Sequence, residues 1–181
     1  IIWSGDIDAD IDNWVSMALK REQITKTYYD IAEYSISAFG QDGQENLRSR
    51  VSATTFDEEE GGASAYDYAT HYSYDAVGNV KTLVQEITAL EEYGDDNQFK
   101  VIKYDYDHIS GKVNSVVYQP EKYDQFAHRY RYDEDNRLTE VWTSRDEVEN
   151  DLSILWYREA AYRYYMHGPL SRKEIGHFHV Q

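Results

Sequence analysis

The pattern of apolar and polar positions changes its period near residue 21. Before that point, apolar residues recur at the spacing of one helix face: Ile11, Trp14, Val15, Ala18 and Leu19. Asp8 suits the N-cap, and Lys20 and Arg21 fall in the last turn, where cations favour the negative end of the helix dipole. The pattern predicts an amphipathic helix over residues 9–21, within a lead-in segment that covers residues 1–21.

From residue 22 onward the period is two, which is typical of strands with one buried face. Residues 22–29 predict a first strand. Residues 47–56 alternate in the same way and predict a longer strand that begins at Leu47. Polar or acidic stretches at 85–98, 119–127 and 145–159 are interpreted as loops between strands.

One short segment recurs four times, with copies that begin 32, 26 and 32 residues apart. Because the copies share both a tyrosine pair and a turn residue at a fixed offset, they indicate a structural repeat. The copies are Tyr72-Ser-Tyr74-Asp75-Ala-Val-Gly78-Asn-Val80, Tyr104-Asp-Tyr106-Asp107-His-Ile-Ser-Gly111-Lys-Val113, Tyr130-Arg-Tyr132-Asp133-Glu-Asp-Asn136-Arg-Leu138 and Tyr162-Arg-Tyr164-Tyr165-Met-His-Gly168-Pro-Leu170.

Each copy predicts a strand, a tight turn and a return strand. Two tyrosines at i and i+2 place both rings on one face of the strand. The following Asp suits the first position of a type I turn, and a Gly or Asn further on tolerates positive φ, so the turn closes as a hairpin with a bulge. The residues expected to build these hairpins are Tyr72, Tyr74, Asp75, Gly78, Tyr104, Tyr106, Asp107, Gly111, Tyr130, Tyr132, Asp133, Asn136, Tyr162, Tyr164 and Gly168.

Two weaker copies lie upstream, at Thr27-Tyr-Tyr29-Asp30 and Thr54-Thr-Phe56-Asp57. A single hairpin is marginally stable in water, so repeated hairpins are expected to bury their faces against one another. The fold class predicted for residues 22–181 is therefore mainly β, built from stacked hairpins.

Composition and charge exclude several classes of function. The chain has 181 residues and a formal net charge of −16, of which residues 1–100 carry −13. This balance disfavours nucleic acid and anionic membranes as partners, and no apolar run has the length that a membrane-spanning helix needs. The chain has no Cys, which excludes thiolate chemistry. It begins at Ile1 without an initiator Met, so we expect an internal piece of a longer protein.

Candidate sites for metal or catalysis are weak. Asp6, Asp8, Asp10 and Asp12 alternate as in a calcium loop but lack its Gly and Glu positions, and a helix start accounts for them more simply. His177 and His179, with His167 near them, lack a third ligand at a known spacing. No nucleophile motif or phosphate loop is present, and a carboxylate pair of the glycosidase type stays open as an alternative. We expect no catalytic residue, no metal and no cofactor.

The tryptophans offer a separate possibility for binding. Trp142 and Trp156 lie outside the repeated segment, so packing within the repeat does not account for them. Aromatic rings stack on sugars, which makes both residues candidates for facing a ligand. The repeat tyrosines, in contrast, recur at the same hairpin position and are better explained by packing.

The repeated segment resembles the YD repeat of Rhs-family proteins, which are related in architecture to teneurins and to the C component of bacterial toxin complexes. The family pattern is close to Tyr-x-Tyr-Asp-x-x-Gly-Arg/Asn-Leu/Val. His71 to Leu83 (HYSYDAVGNVKTL) and His128 to Val141 (HRYRYDEDNRLTEV) match it closely, and DHISGK at 107–112 and HGPLSR at 167–172 are similar to a bacterial subgroup of large Rhs proteins.

The resemblance implies that residues 22–181 form part of a hollow β-shell, or cocoon, that encloses a C-terminal toxin or effector. It implies a secreted or cell-surface bacterial protein whose partners are flanking repeats, the cargo and the secretion machinery. The family's cleavage segment carries an Asp-Pro motif, and the only prolines here are Pro120 and Pro169, so this piece is expected to be wall. The alternative is a surface adhesin or carbohydrate-binding module without cargo.

Overall fold

The computed structural model describes residues 9, 11, 14, 22–59, 65–145 and 156–176. Its strands are β1 (Glu22–Tyr29), β2 (Val51–Glu59), β3 (Tyr68–Tyr74), β4 (Val80–Ile87), β5 (Phe99–Tyr106), β6 (Val113–Tyr118), β7 (Phe126–Tyr132), β8 (Leu138–Ser144), β9 (Tyr157–Tyr164) and β10 (Leu170–Ile175). Short 3₁₀ helices span Ser37–Phe39 and Thr88–Tyr93, and a one-turn helix, α1, spans Asp95–Gln98.

The ten strands form one open antiparallel sheet whose spatial order is the order of the chain. Neighbours along the chain are therefore neighbours in the sheet, as expected for serial hairpins. Within the described residues, β1 and β10 are the two edges. The prediction of a mainly β protein built from successive hairpins is confirmed at this level.

The predicted turn geometry is also confirmed. Gly78, Gly111, Asn136 and Gly168 all have positive φ, at 110°, 70°, 61° and 110°. The register shifts next to each of the four turns, which is the predicted bulge. At Gly78 a Cβ atom would lie 2.7 Å from a guanidinium nitrogen of Arg50, which is the end of a flexible side chain, so the positive φ is the stronger reason for glycine.

Several strand boundaries differ from those predicted. β2 begins at Val51 rather than Leu47, because Leu47 is buried in a turn and Ser49 has positive φ. The upstream copy at residues 54–57 contains no turn, because Asp57 lies within β2 and pairs with Ile24. The expected loops are shorter than predicted, since residues 85–87, 126–127 and 157–159 belong to strands.

Parts of the predicted lead-in segment and its candidate sites lie outside the described residues. Ala9, Ile11 and Trp14 are helical and exposed, and the remainder of the predicted helix at 9–21 is outside the described part. The candidate calcium ligands Asp6, Asp8, Asp10 and Asp12 also lie outside the described residues. So do His177 and His179.

One face of the first five strands is covered by residues 31–48, which form a long connection between β1 and β2. Ile36 from this connection packs with Val84 and Phe99 to form the main apolar cluster. Beyond it, the side-chain amide of Gln44 donates to the backbone carbonyls of Ser52 and Tyr72 at 2.6 and 2.8 Å. The connection therefore ends as a wedge between β2 and β3. We call this side of the sheet the covered face.

Candidate functional site: contacts between successive hairpins

The second tyrosine of each repeat ties its hairpin to the hairpin before it. Its hydroxyl donates to the backbone carbonyl of the residue that opens the previous return strand. We call these four contacts the tyrosine locks: Tyr74 to Val51 at 2.8 Å, Tyr106 to Val80 at 3.1 Å, Tyr132 to Val113 at 3.0 Å and Tyr164 to Leu138 at 2.7 Å. The same long-range contact recurs at every junction between the hairpins.

Burial keeps three of these hydroxyls in the state that can donate. Removal from water raises the pKa of Tyr74, Tyr106 and Tyr132, because the phenolate would lose its hydration. A protonated hydroxyl supplies the hydrogen that the carbonyl accepts. The locks are therefore expected to hold throughout the neutral range.

The aspartate after each lock tyrosine holds the turn. The Asp75 carboxylate accepts from the backbone N–H groups of Gly78 and Asn79, at 2.6 and 2.8 Å. The Asp133 carboxylate accepts from the backbone and the guanidinium of Arg137, at 2.9 and 2.8 Å. Asp107 does the same with the N–H of Ile109 at 2.7 Å. These bonds confirm the predicted turn role of the aspartates.

The fourth turn shows what the aspartate adds. Tyr165 occupies its position, and the backbone bonds of the turn persist, with Gly168 N donating to Tyr165 O at 2.9 Å. A Tyr side chain at this position has no carboxylate to accept the other turn N–H groups. The backbone geometry therefore forms without the carboxylate.

We expect Tyr165→Asp to stabilise the chain by about 0.5–1 kcal/mol, because the carboxylate would accept turn N–H groups as its counterparts do. Urea unfolding monitored by circular dichroism measures the change. Tyr165→Ala is the control, since it removes the ring contact with His167 without adding an acceptor. Equal midpoints for the two variants would contradict the prediction.

The first tyrosine of each repeat lies on the face opposite the covered face. Tyr72 and Tyr74 stack with ring centroids 6.5 Å apart, and Tyr104 and Tyr106 stack at 6.3 Å. This confirms for two copies that the pair shares one side of the strand. In the third copy, Tyr130 stacks instead on His128 at 6.1 Å. These first tyrosines pack against neighbours and make no lock.

The hairpin formed by β1 and β2 is a further copy with residues 31–48 inserted in its turn. Tyr29 pairs with Val51 across a register shift, and Asp30 N donates to Arg50 O, as Asp75 N does to Asn79 O. This confirms the weaker upstream copy at Thr27 to Asp30. Tyr29 thus occupies the lock position at the β1 edge, where its side chain is 56% exposed.

The opposite edge presents the matching acceptor. Leu170 opens β10 and is equivalent to Val51, Val80, Val113 and Leu138, whose carbonyls accept the four locks. Among the described residues no hydroxyl donates to the Leu170 carbonyl. In the described part of the chain, one edge therefore carries a lock tyrosine with no hairpin beside it, and the other carries a lock acceptor.

A buried polar cluster lies on the covered face, and nothing in the pattern of residues predicted it. The carboxylate of Glu86 accepts from the Tyr66 hydroxyl at 2.7 Å, from His71 Nε2 at 3.0 Å and from the Gln98 amide at 3.0 Å. Tyr34, from the long connection, packs edge-on against Tyr66 at 4.9 Å. The cluster joins four segments that are distant in the chain.

The cluster is closed to ligands. His71 is fully buried, and Glu86 is 7% exposed. Because a carboxylate only accepts, His71 Nε2 carries the hydrogen, and Nδ1 has no hydrogen-bond partner in the structure. Groups this deeply buried offer little surface to a substrate, so we interpret the cluster as a latch that fixes the long connection to the sheet.

Acid is expected to weaken this latch. Burial opposes ionisation of Glu86, but hydrogen bonds from His71, Tyr66 and Gln98 outweigh it and hold its pKa below the ordinary 4.5. A lowered folded-state pKa contributes stability above the unfolded pKa, and this contribution is lost as the pH falls. The urea-midpoint difference between wild type and Glu86→Gln is expected to be full at pH 7 and to shrink below pH 4.5. A difference independent of pH would contradict this.

The two candidate tryptophans lie on the covered side, beyond the long connection. The Arg129 guanidinium lies 4.1 Å from the ring centroid of Trp156, and the Arg131 guanidinium lies 5.6 Å from that of Trp142. One face of each indole is therefore already occupied by an arginine. The arrangement brings Trp142 and Trp156 together as part of a cationic surface.

A pocket of about 280 Å³ opens on the same side, between the 3₁₀ helix at Ser37–Phe39 and β5. Phe99 and Val101 give it an apolar wall, and Lys103 and Lys122 line it with positive charge. No carboxylate from the described part of residues 1–100 lines the pocket. The pocket thus extends the cationic character of this side toward β5.

The fold and these contacts define the class of the chain: a sheet of serially repeated hairpins, joined by the tyrosine locks, with β1 and β10 as its edges among the described strands. No family model matches the sequence, and no curated protein matches it. Within the described part of the chain, no helix is long and apolar enough to cross a membrane.

Proposed function

We propose that this chain is a wall segment of an Rhs/YD-repeat β-shell that encloses and delivers a C-terminal toxin or effector. In this proposal the segment is not catalytic, and the whole protein is secreted or displayed on a bacterial surface. Its partners are the flanking repeats, the enclosed cargo and the secretion machinery. The motif resemblance gives the proposal its family, and the hairpin contacts give it a physical basis.

The observation that carries the proposal is the repetition of the tyrosine lock. A contact used once fixes one loop, whereas the same contact at every junction lets a sheet extend by adding identical hairpins. The Leu170 carbonyl, which accepts no hydroxyl within the described residues, and the exposed Tyr29 at the other edge fit this extension in both directions. Open edges otherwise favour aggregation, which further repeats would prevent.

The arginine contacts count against the adhesin alternative. A sugar that stacks on Trp142 or Trp156 needs an open ring face, and an arginine occupies one of the two faces of each ring. The arginines on these rings suit an anionic partner better than a neutral sugar. We therefore propose the shell role alone.

The test uses the intact parent protein, purified natively and digested with a protease before its mass is measured under denaturing conditions. A shell predicts a C-terminal region that survives digestion and separates from a larger chain. Tyr164→Phe in the parent is expected to speed digestion of that region, because it removes one lock. Tyr162→Phe is the matched control. A C-terminal region digested as fast as the same region expressed alone would overturn the proposal.

A further inference from the structure

Strands β7 to β10 carry an arginine-rich surface on the covered side of the sheet. The register places five arginines and two glutamates there among the described residues. We call the arginines the arginine strip: Arg129, Arg131, Arg158, Arg163 and Arg172. This balance is opposite to that of the whole chain, whose net charge is −16.

One carboxylate serves the centre of the strip. Glu140 lies 3.3 Å from Arg131 and 3.3 Å from Arg158, and it also accepts from the Trp142 indole N–H at 3.1 Å. Arg129 is exposed and has no carboxylate partner within the described ranges. The side chain of Arg131 is 61% exposed. The other glutamate, Glu174, pairs with Arg172 at 2.7 Å. Among the described residues the strip therefore has more arginines than carboxylates and keeps a positive charge.

Contact with indole rings restricts the guanidinium groups of Arg129 and Arg131. Arg129 rests on Trp156, and Arg131 rests near Trp142, so each planar fork is held by a flat ring. A guanidinium that is ordered in advance loses less entropy when it pairs with a carboxylate. The fork of Arg129 is suited to a bidentate acceptor, and Arg131 has N–H groups besides the one that Glu140 accepts.

We propose that the arginine strip binds an extended acidic segment of a partner polypeptide, with a carboxylate at every second residue. Arg129 and Arg131 are two residues apart on β7, a spacing of about 6.5 Å along a strand. An extended peptide presents every second side chain at the same spacing. Charge and register therefore match such a segment, and the proposal stands whether or not the chain belongs to a shell.

The test is fluorescence anisotropy of the 181-residue chain with a labelled peptide of four Glu alternating with four Thr. We expect saturable binding at low salt. Arg129→Gln/Arg131→Gln is expected to weaken it about ten-fold, since two exposed charge pairs are lost. Arg48→Gln/Lys81→Gln removes the same charge from exposed positions outside the strip and is expected to leave binding unchanged.

An isomeric peptide with its four Glu consecutive tests the register and is expected to bind about five-fold more weakly. If the urea midpoint of the double variant differs from that of the wild type, Arg129→Lys is tested in its place. That variant keeps the charge without the fork and is expected to weaken binding about three-fold.

Four results of the binding assay would overturn the proposal. They are no saturable binding, equal binding by the strip variant, equal binding of the two peptide isomers, and displacement of the peptide by a galacturonate oligosaccharide at lower concentration than by unlabelled peptide. The last would make an acidic glycan the occupant. A wild-type dimer in sedimentation, abolished by the strip variant, would make a second copy the occupant and would also overturn it.

Discussion

Replacing Tyr74, Tyr106, Tyr132 and Tyr164 together with Phe is expected to lower the free energy of unfolding by about 4 kcal/mol. Each substitution removes one hydroxyl that donates to a backbone carbonyl and leaves the ring in place. A hydrogen bond of this kind contributes about 1 kcal/mol. Successive locks are two strands apart, about 9.6 Å, which is far enough for the losses to add.

The chain itself offers a matched control for the locks. Replacing Tyr72, Tyr104, Tyr130 and Tyr162 with Phe removes the same number of hydroxyls from the same four hairpins. None of these hydroxyls has a hydrogen bond in the described residues, so the expected change is within about 0.5 kcal/mol per residue. Urea unfolding at pH 7 measures both variants. Equal losses for the two sets would show that the locks contribute nothing specific.

Glu86→Gln is expected to cost about 3 kcal/mol, the largest effect of a single substitution. The carboxylate accepts from three donors, and Gln keeps its shape but puts an NH₂ group against one of them. A buried donor left without an acceptor, together with the loss of charge-assisted bonds, costs a few kcal/mol. The urea midpoint and the calorimetric melting temperature should both fall.

Glu92→Gln is the control for this substitution because Glu92 is exposed in the 3₁₀ helix that follows β4. We expect it to change stability by less than about 0.5 kcal/mol. A loss for Glu86→Gln no larger than for Glu92→Gln would mean that the buried cluster does not hold the long connection in place. Protease cleavage within residues 31–48 gives a second readout, because a weakened latch should expose that connection.

The hairpins could be predicted because their determinants are local. A tyrosine pair, an Asp and a Gly or Asn lie within nine or ten residues, and the turn forms from their own backbone preferences and short-range bonds. The first strand residues after the turns, Val80 and Leu138, were placed correctly for the same reason.

The predicted start of β2 at Leu47 was wrong, and this too has a physical cause. Residues 47–50 alternate like a strand, but Ser49 occupies the turn position that Gly78 has in the next hairpin. Serine is not a residue type that predicts a positive φ. Only the pairing of Tyr29 with Val51 defines where the strand begins. Alternation alone therefore placed the start of β2 four residues too early.

The sequence by itself determined the period-two strands, the turn positions and the face that each tyrosine pair shares, because these depend on neighbouring residues. Only the tertiary structure decided that the second tyrosine hydroxyl reaches the previous hairpin. It also decided that Glu86 accepts hydrogen bonds from His71, Tyr66 and Gln98, and that an arginine lies on one face of Trp142 and of Trp156. These contacts join residues that the chain keeps apart, so they exist only once the strands have paired in register.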